Sequence, residues 1–193
     1  MTDLIIGIFV GGAGKRMGGV AKGSLKTPAG DETLLTRLLR ICADSAPEAV
    51  VYLVGQAPSY ATLGLTQLAD EPREVGPIGG LRSLLRQAQA DGARRALALA
   101  CDLPFIDQTM IRLLSAPLDS AARVPVVAGR FQPLAATYAP IPGLAAIDRA
   151  LAANQHALMR VLAELGTDTE RFEVDGQHAH AFRDWDTPDD IAR

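Results

Sequence analysis

Residues 4–10 read Leu-Ile-Ile-Gly-Ile-Phe-Val, without one polar side chain, and end at a glycine-rich turn. A short, continuously apolar run of this kind is how a strand buried on both faces of a parallel sheet reads. Such a strand needs helices above and below it, so this one segment already favours an α/β architecture. Leu34, Leu35, Leu38, Leu39 and Cys42 follow at helical spacing, and Val50 to Val54 is again a short apolar run. Leu81, Leu84, Leu85 and Ala88 mark a second helix before the run Ala96 to Cys101. Its alanines and leucines suit helix or strand, but its brevity and the stop at Asp102-Leu103-Pro104 favour a strand.

Further on, the pattern predicts a helix from near Gln108 to Leu114 and strands at Val124 to Ala128 and near Leu134 to Tyr138. The last third is mostly helical up to Gly166, with a short strand at Phe172 to Val174. Thr187-Pro188-Asp189-Asp190 reads as a helix start, with Thr as cap, Pro at the first helical position and acids facing the positive helix end. No repeat or low-complexity stretch interrupts this alternation. The expectation is one three-layer, Rossmann-like domain over residues 1–193 with a mainly parallel sheet, and ligands beyond the carboxyl ends of its strands.

Composition narrows the partners. A net charge of −3 and a pI near 5.6 provide no basic face for a nucleic-acid backbone. Cys42 and Cys101 lie far apart without C-x-x-C spacing, so neither a disulfide framework nor a zinc site is expected. The opening apolar run follows Asp3, has no basic leader and is too short to span a bilayer. These readings place the chain in the cytoplasm, acting on small molecules, with no membrane partner. His156, His178 and His180 show no spacing expected of metal ligands, and Arg94-Arg95 reads as a solvated strand entry.

The most informative stretch is Gly11-Gly12-Ala13-Gly14-Lys15-Arg16-Met17-Gly18-Gly19-Val20-Ala21-Lys22-Gly23. Glycines let backbone N–H groups approach a polyphosphate closely, and Arg16 and Lys22 can neutralise it. Two familiar nucleotide loops do not match. The Rossmann fingerprint needs a glycine where Met17 stands, and the Walker loop needs Ser or Thr where Arg16 stands. A flexible surface loop with solvated charges is the plain alternative, and Lys15 is the residue that suits it best.

A second feature is Asp102, placed where a buried strand emerges and turned by Pro104. A carboxylate there can bind a hard cation such as Mg²⁺, which takes one or two carboxylates plus substrate phosphates. It can equally cap the following turn. Asp70-Glu71-Pro72 and Gly76-Pro77-Ile78-Gly79-Gly80-Leu81 form a second glycine loop feeding a helix start, a place suited to backbone recognition of a ligand or to an ordinary turn.

The pattern G-G-x-x-x-R-M-G-G-x-x-K-G after a first strand resembles the signature of the molybdenum cofactor guanylyltransferases, within the wider nucleotidyltransferases of glycosyltransferase-A-like fold. That resemblance runs from Gly11 to Pro188. It implies that Gly11 and Gly12, after Val10, lie against the base and ribose, while Arg16 and Lys22 hold the triphosphate. Asp102, in a C-D-x-P element, corresponds to the Mg²⁺ ligand, so the implied catalytic set is Arg16, Lys22 and Asp102. The family's D-x-x-x-G-P-x-x-G-L element, here with a different interval after Asp70, implies a base pocket shaped by Gly76, Pro77, Gly79 and Gly80. Relatives using CTP carry a serine-containing loop there, which inclines this chain toward guanine, with Asp70 accepting from N1 and N2 of the base.

Gln132-Pro133 resembles the family's H-P or Q-P element on the acceptor side. Asp184-Trp185-Asp186-Thr187-Pro188 resembles its N-x-N-T-P stretch, with both asparagines replaced. Asp184 and Asp186 are thus acceptor-side candidates, although Asp186 can also simply orient the last helix. The implied reaction is transfer of GMP from GTP to molybdopterin, with pyrophosphate released and transient contact with other cofactor-biosynthesis proteins or molybdoenzymes. Alternatives are a CTP-dependent molybdopterin cytidylyltransferase, a sugar- or alcohol-phosphate nucleotidyltransferase, and a non-catalytic GTP-binding carrier.

Overall fold

The apolar opening run forms the strand β1, Leu4–Phe9, with all six residues buried. In the computed structural model, which describes residues 2–11, 21–28 and 30–185, β1 pairs in parallel with β2, Val50–Val54, on one side. On its other side it pairs in parallel with β4, Arg95–Ala100. The short β3, Gln67–Leu68, extends the sheet beyond β2. After β1 the chain therefore builds outward through β2 and β3, then crosses back to place β4 on the opposite flank. This reversal makes a crevice beyond the carboxyl end of β1, the usual ligand position in an open α/β sheet.

The second half adds β5, Ala122–Val127, β6, Arg130–Phe131, and β7, Ala135–Tyr138. Ala128 and Gly129, at φ 48° and 75°, join β5 to β6 through a two-residue turn of the kind that matches strand twist. β7 then runs antiparallel between β4 and β5. The last strand, β8, Thr169–Glu173, lies parallel to β5. The eight-stranded sheet has the order β3-β2-β1-β4-β7-β5-β6, with β8 beside β5. It is mixed but mostly parallel, and β6 and β7 run against the other strands.

Side chains of β1 alternate between two cores, as the pleat dictates. Ile5 and Phe9 join the core under α2, Pro77–Ala90, α4, Pro140–Ala152, and α5, Leu158–Leu165. Leu4, Ile6 and Ile8 join the core under α1, Leu34–Ser45, and α3, Gln108–Ser115. Two buried faces explain why β1 carries no polar residue. The α1 helix starts at Thr33, whose hydroxyl accepts from Thr36 N, and α3 at Asp107, whose carboxylate accepts from Met110 N at 2.9 Å. The result is a single three-layer α/β domain. No helix among the described residues is long and apolar enough to cross a membrane.

Candidate active site

Three parallel strands deliver the site. Where β1 ends, Val10 N and Gly11 N both donate to Val54 O of β2, at 2.9 and 3.3 Å. Gly55 follows at φ +100°, and a Cβ built on it would lie 2.7 Å from Gly11 Cα and 2.8 Å from Gly11 N. Only glycine fits between two backbones at that separation. On the other flank, Cys101 N donates to Phe9 O at 3.2 Å, which aims the following residue, Asp102, into the crevice.

A cavity of about 970 Å³ opens there, lined by Phe9, Val10, Gly11, Lys22, Val54, Asp70, Glu74, Gly76, Pro77, Ala100, Cys101, Asp102 and Leu134. A smaller hollow of about 290 Å³ lies near Thr2, Glu48 and Arg112, at the opposite ends of the strands. The larger cavity is the candidate site, because the strand ends and charged groups converge on it and its size suits a nucleotide-sized ligand.

Lys22 sits on a short 3-10 turn, Lys22–Ser24. Its Nζ donates to Asp102 Oδ2 at 2.7 Å, a bridge across 80 residues of sequence. Asp102 is in turn held from outside, where Trp185 N donates to its carbonyl at 3.0 Å. Trp185 is itself buried and meets Phe105 edge to face, with ring centroids 6.2 Å apart, while His180 packs on Phe105 at 3.9 Å. The Asp102–Phe105 turn thus rests on an aromatic cluster from the C-terminal segment.

Asp70 lines the same cavity as Lys22 and Asp102. Partial burial pushes its carboxyl above the ordinary carboxylate value. Burial, then the neighbouring Asp102 charge, pushes the Cys101 thiol up to about 12, so it stays protonated at neutral pH. Cys101 is therefore a wall residue without nucleophilic character.

Of the residues singled out from sequence, Val10, Gly11, Lys22, Asp70, Gly76, Pro77 and Asp102 line one cavity. Gly79 and Gly80 are buried behind it. A Cβ on Gly79 would lie 2.3 Å from Pro72 O, and one on Gly80 would lie 2.7 Å from Val54 and 3.1 Å from Asp70 Oδ1. Their absent side chains let the first turn of α2 close on the Asp70 segment, so they shape the wall from behind. Gln132 and Pro133 also stand back from the cavity. Pro133 O accepts from Tyr138 Oη at 2.8 Å, and the next residue, Leu134, provides the lining. Asp184 is exposed and does not line the cavity, although its neighbour Trp185 holds the Asp102 turn. Gly12, Arg16 and Asp186, with the helix start at residues 187–190, lie outside the described residues.

Sequence reasoning missed Glu74 and Leu134 on the wall. Glu74 adopts φ 64°, uncommon for a residue with a side chain. Nothing in its type announced that role, whereas Leu134 could have been found from its place directly after Gln132-Pro133.

Residues 6–169, which span β1 to the start of β8, match the MobA-like NTP transferase domain. The chain belongs to that family. Within the MobA-like NTP transferases it is 30% identical over 186 residues to the molybdenum cofactor guanylyltransferase of Cereibacter sphaeroides, covering 96% of this chain and 92% of that one. It is 29% identical over 189 residues to a probable molybdenum cofactor guanylyltransferase of Opitutus terrae, with the same shares covered. The fold matches molybdopterin-guanine dinucleotide biosynthesis protein A of Archaeoglobus fulgidus at TM-score 0.75 and 22% identity, covering 97% of this chain and 95% of the other. It also matches 2-C-methyl-D-erythritol 4-phosphate cytidylyltransferase of Thermus thermophilus at TM-score 0.64 and 20% identity, over 100% and 96% of the two chains. This MobA-like chain thus shares its sheet with nucleotidyltransferases that differ in donor and acceptor.

Proposed function

We propose that the protein transfers GMP from GTP to molybdopterin, forming the guanine dinucleotide cofactor and releasing pyrophosphate, in the cytoplasm and with Mg²⁺. The observation that carries this reading is the meeting of Lys22 and Asp102 at 2.7 Å beside the turn that ends β1. A cation and a carboxylate from distant segments share one cavity large enough for a nucleotide. The names of the two relatives supply the acceptor and the base.

The chemistry requires little of the protein beyond placement and charge. An oxygen of the terminal phosphate of molybdopterin forms a bond to the α-phosphorus of GTP as the bond from that phosphorus to the bridging oxygen breaks, and pyrophosphate leaves with the electron pair. The side-chain-free backbone at Gly11 lets the nucleoside lie close against the end of β1, and Lys22 turns its ammonium toward the phosphate oxygens as the triphosphate enters. Arg16, from the same glycine loop, adds charge for the leaving pyrophosphate. No side-chain nucleophile is needed, consistent with the protonated Cys101.

The Asp102 carboxylate, part-exposed at the cavity wall, suits a hard cation. Among the described residues no group of three or more His, Cys, Asp or Glu gathers to hold a metal. Such a donor set fits Mg²⁺, which fills most of its shell with water and phosphate oxygens, and would not form a self-sufficient protein cage. Bound at Asp102, the ion would neutralise charge on the phosphate being transferred.

Pyrophosphate release from purified protein, molybdopterin and each triphosphate in turn tests the reading. GTP with Mg²⁺ should support turnover well above CTP, and chelation of the metal should stop it. A preference for CTP would make the chain a cytidylyltransferase, and GTP binding without pyrophosphate release would make it a carrier.

A further inference from the structure

Beside the main cavity lies a second hollow of about 240 Å³, lined by Gly11, Gly55, Gln56, Ala69, Asp70 and Arg73. Gly11 and Asp70 line both spaces, so the hollow adjoins the cavity that holds Lys22 and Asp102. Three of its residues, Gly11, Gly55 and Ala69, carry at most a methyl group, which leaves a floor of backbone on which a flat ring can lie. The other three carry complementary polar groups. Asp70 only accepts hydrogen bonds, Arg73 only donates, and Gln56 does both. Among the described residues, none of these three side chains is engaged with another.

We propose that Arg73 is a specificity-determining residue that reads the O6/N7 edge of guanine, opposite the edge taken by Asp70. This rests on the GTP reading and extends it to a residue in the interval between Asp70-Glu71-Pro72 and Gly76, which neither motif names. Guanine presents two adjacent acceptors, O6 and N7, on one edge and two adjacent donors, N1–H and the N2 amine, on another. An arginine fork matches the first pair and a carboxylate the second. Adenine places a donor beside N7, which faces the guanidinium with the wrong polarity. Pyrimidines have no N7. A site with a donating fork on one side and a carboxylate on the other therefore selects guanine over the three other common bases.

Equilibrium binding of GTP, 7-deaza-GTP, inosine triphosphate and CTP to the full chain, with Mg²⁺, tests this atom by atom. The wild type should bind 7-deaza-GTP about tenfold more weakly than GTP, as loss of a hydrogen bond to a charged donor entails. Arg73→Ala should bind GTP and 7-deaza-GTP equally and weakly, while keeping its preference for GTP over inosine triphosphate, which probes Asp70. Equal binding of GTP and 7-deaza-GTP by the wild type, or discrimination retained in Arg73→Ala, would overturn the assignment. Tight CTP binding with none of GTP would instead defeat the guanylyl-transfer reading on which it rests.

Discussion

The Lys22 ammonium reaches the Asp102 carboxylate at 2.7 Å, across 80 residues of sequence. Each side chain is about one-fifth exposed, at 23% and 16%, so the pair is open to an incoming triphosphate. Its worth to folding is small, because ion pairs in contact with water contribute about 0–1 kcal/mol. Lys22→Ala and Asp102→Ala should therefore keep their melting behaviour within a few degrees of wild type. Turnover should fall by about a hundredfold or more, the scale seen when one charge-stabilising group is removed from an active site. Pyrophosphate release together with circular dichroism melts checks both halves, and a fully active Asp102→Ala enzyme would remove the metal assignment.

Gly55 holds the two strand ends together by having no side chain. Gly55→Ala forces a Cβ to within 2.8 Å of Gly11 N at a φ that alanine seldom adopts. Backbone strain alone costs about 1–3 kcal/mol, and the clash adds to it. Urea unfolding should show at least that loss. Gly176→Ala is the matched control, since a Cβ there meets nothing within 4 Å.

Asp70 sets stability against function. Because burial raises its carboxyl in the folded state, the folded form favours the neutral acid. The chain is thus relatively more stable below the ordinary carboxylate value of 3.8, and loses that increment as pH rises through the higher folded value. Asp70→Asn should melt at a higher temperature than wild type at pH 7. The gap should close as the medium is acidified, and GTP binding should weaken. Equal melting temperatures at pH 7 would show that the carboxylate is not penalised in the fold.

Thr137 lies fully buried on β7 and donates from its hydroxyl to Leu114 O at 2.6 Å. Thr137→Val keeps the shape and removes that donor, at a cost of about 1–3 kcal/mol if Leu114 O is left without it. Chemical denaturation measures the difference, and turnover should be unaffected because the bond ties β7 to α3 away from the cavity.

How much of this was legible in the sequence depended on burial. β2 was read residue for residue, since Val50 to Val54 is a plain apolar run, and β1 was one residue too long. β8 was found only from Phe172 onward, because Thr169-Glu170-Arg171 is polar and an outlying strand has little apolar pattern to offer. β3 and β6 are two residues each, too short for any periodicity. The direction of β7 was hidden because an apolar strand looks the same whichever way it runs. Within the site, Lys22 and Asp102 were named from their charge and their places in the glycine loop and at a strand end, with the family pattern adding roles, and it is the topology that places them together. Gly79 was read as one of the residues that shape the base pocket, and it stands behind the wall, where a Cβ would run into Pro72 O. A motif records that glycine is required, without saying whether a ligand or a neighbouring backbone requires it.

Trp185, whose amide donates to the Asp102 carbonyl, is the only tryptophan in the chain. The molecule therefore carries one intrinsic fluorophore, tucked behind the turn that bears the candidate metal ligand. A change in its ultraviolet emission as nucleotide and metal are added would report occupancy at Asp102 without any label, and would do so even in variants that have lost all turnover.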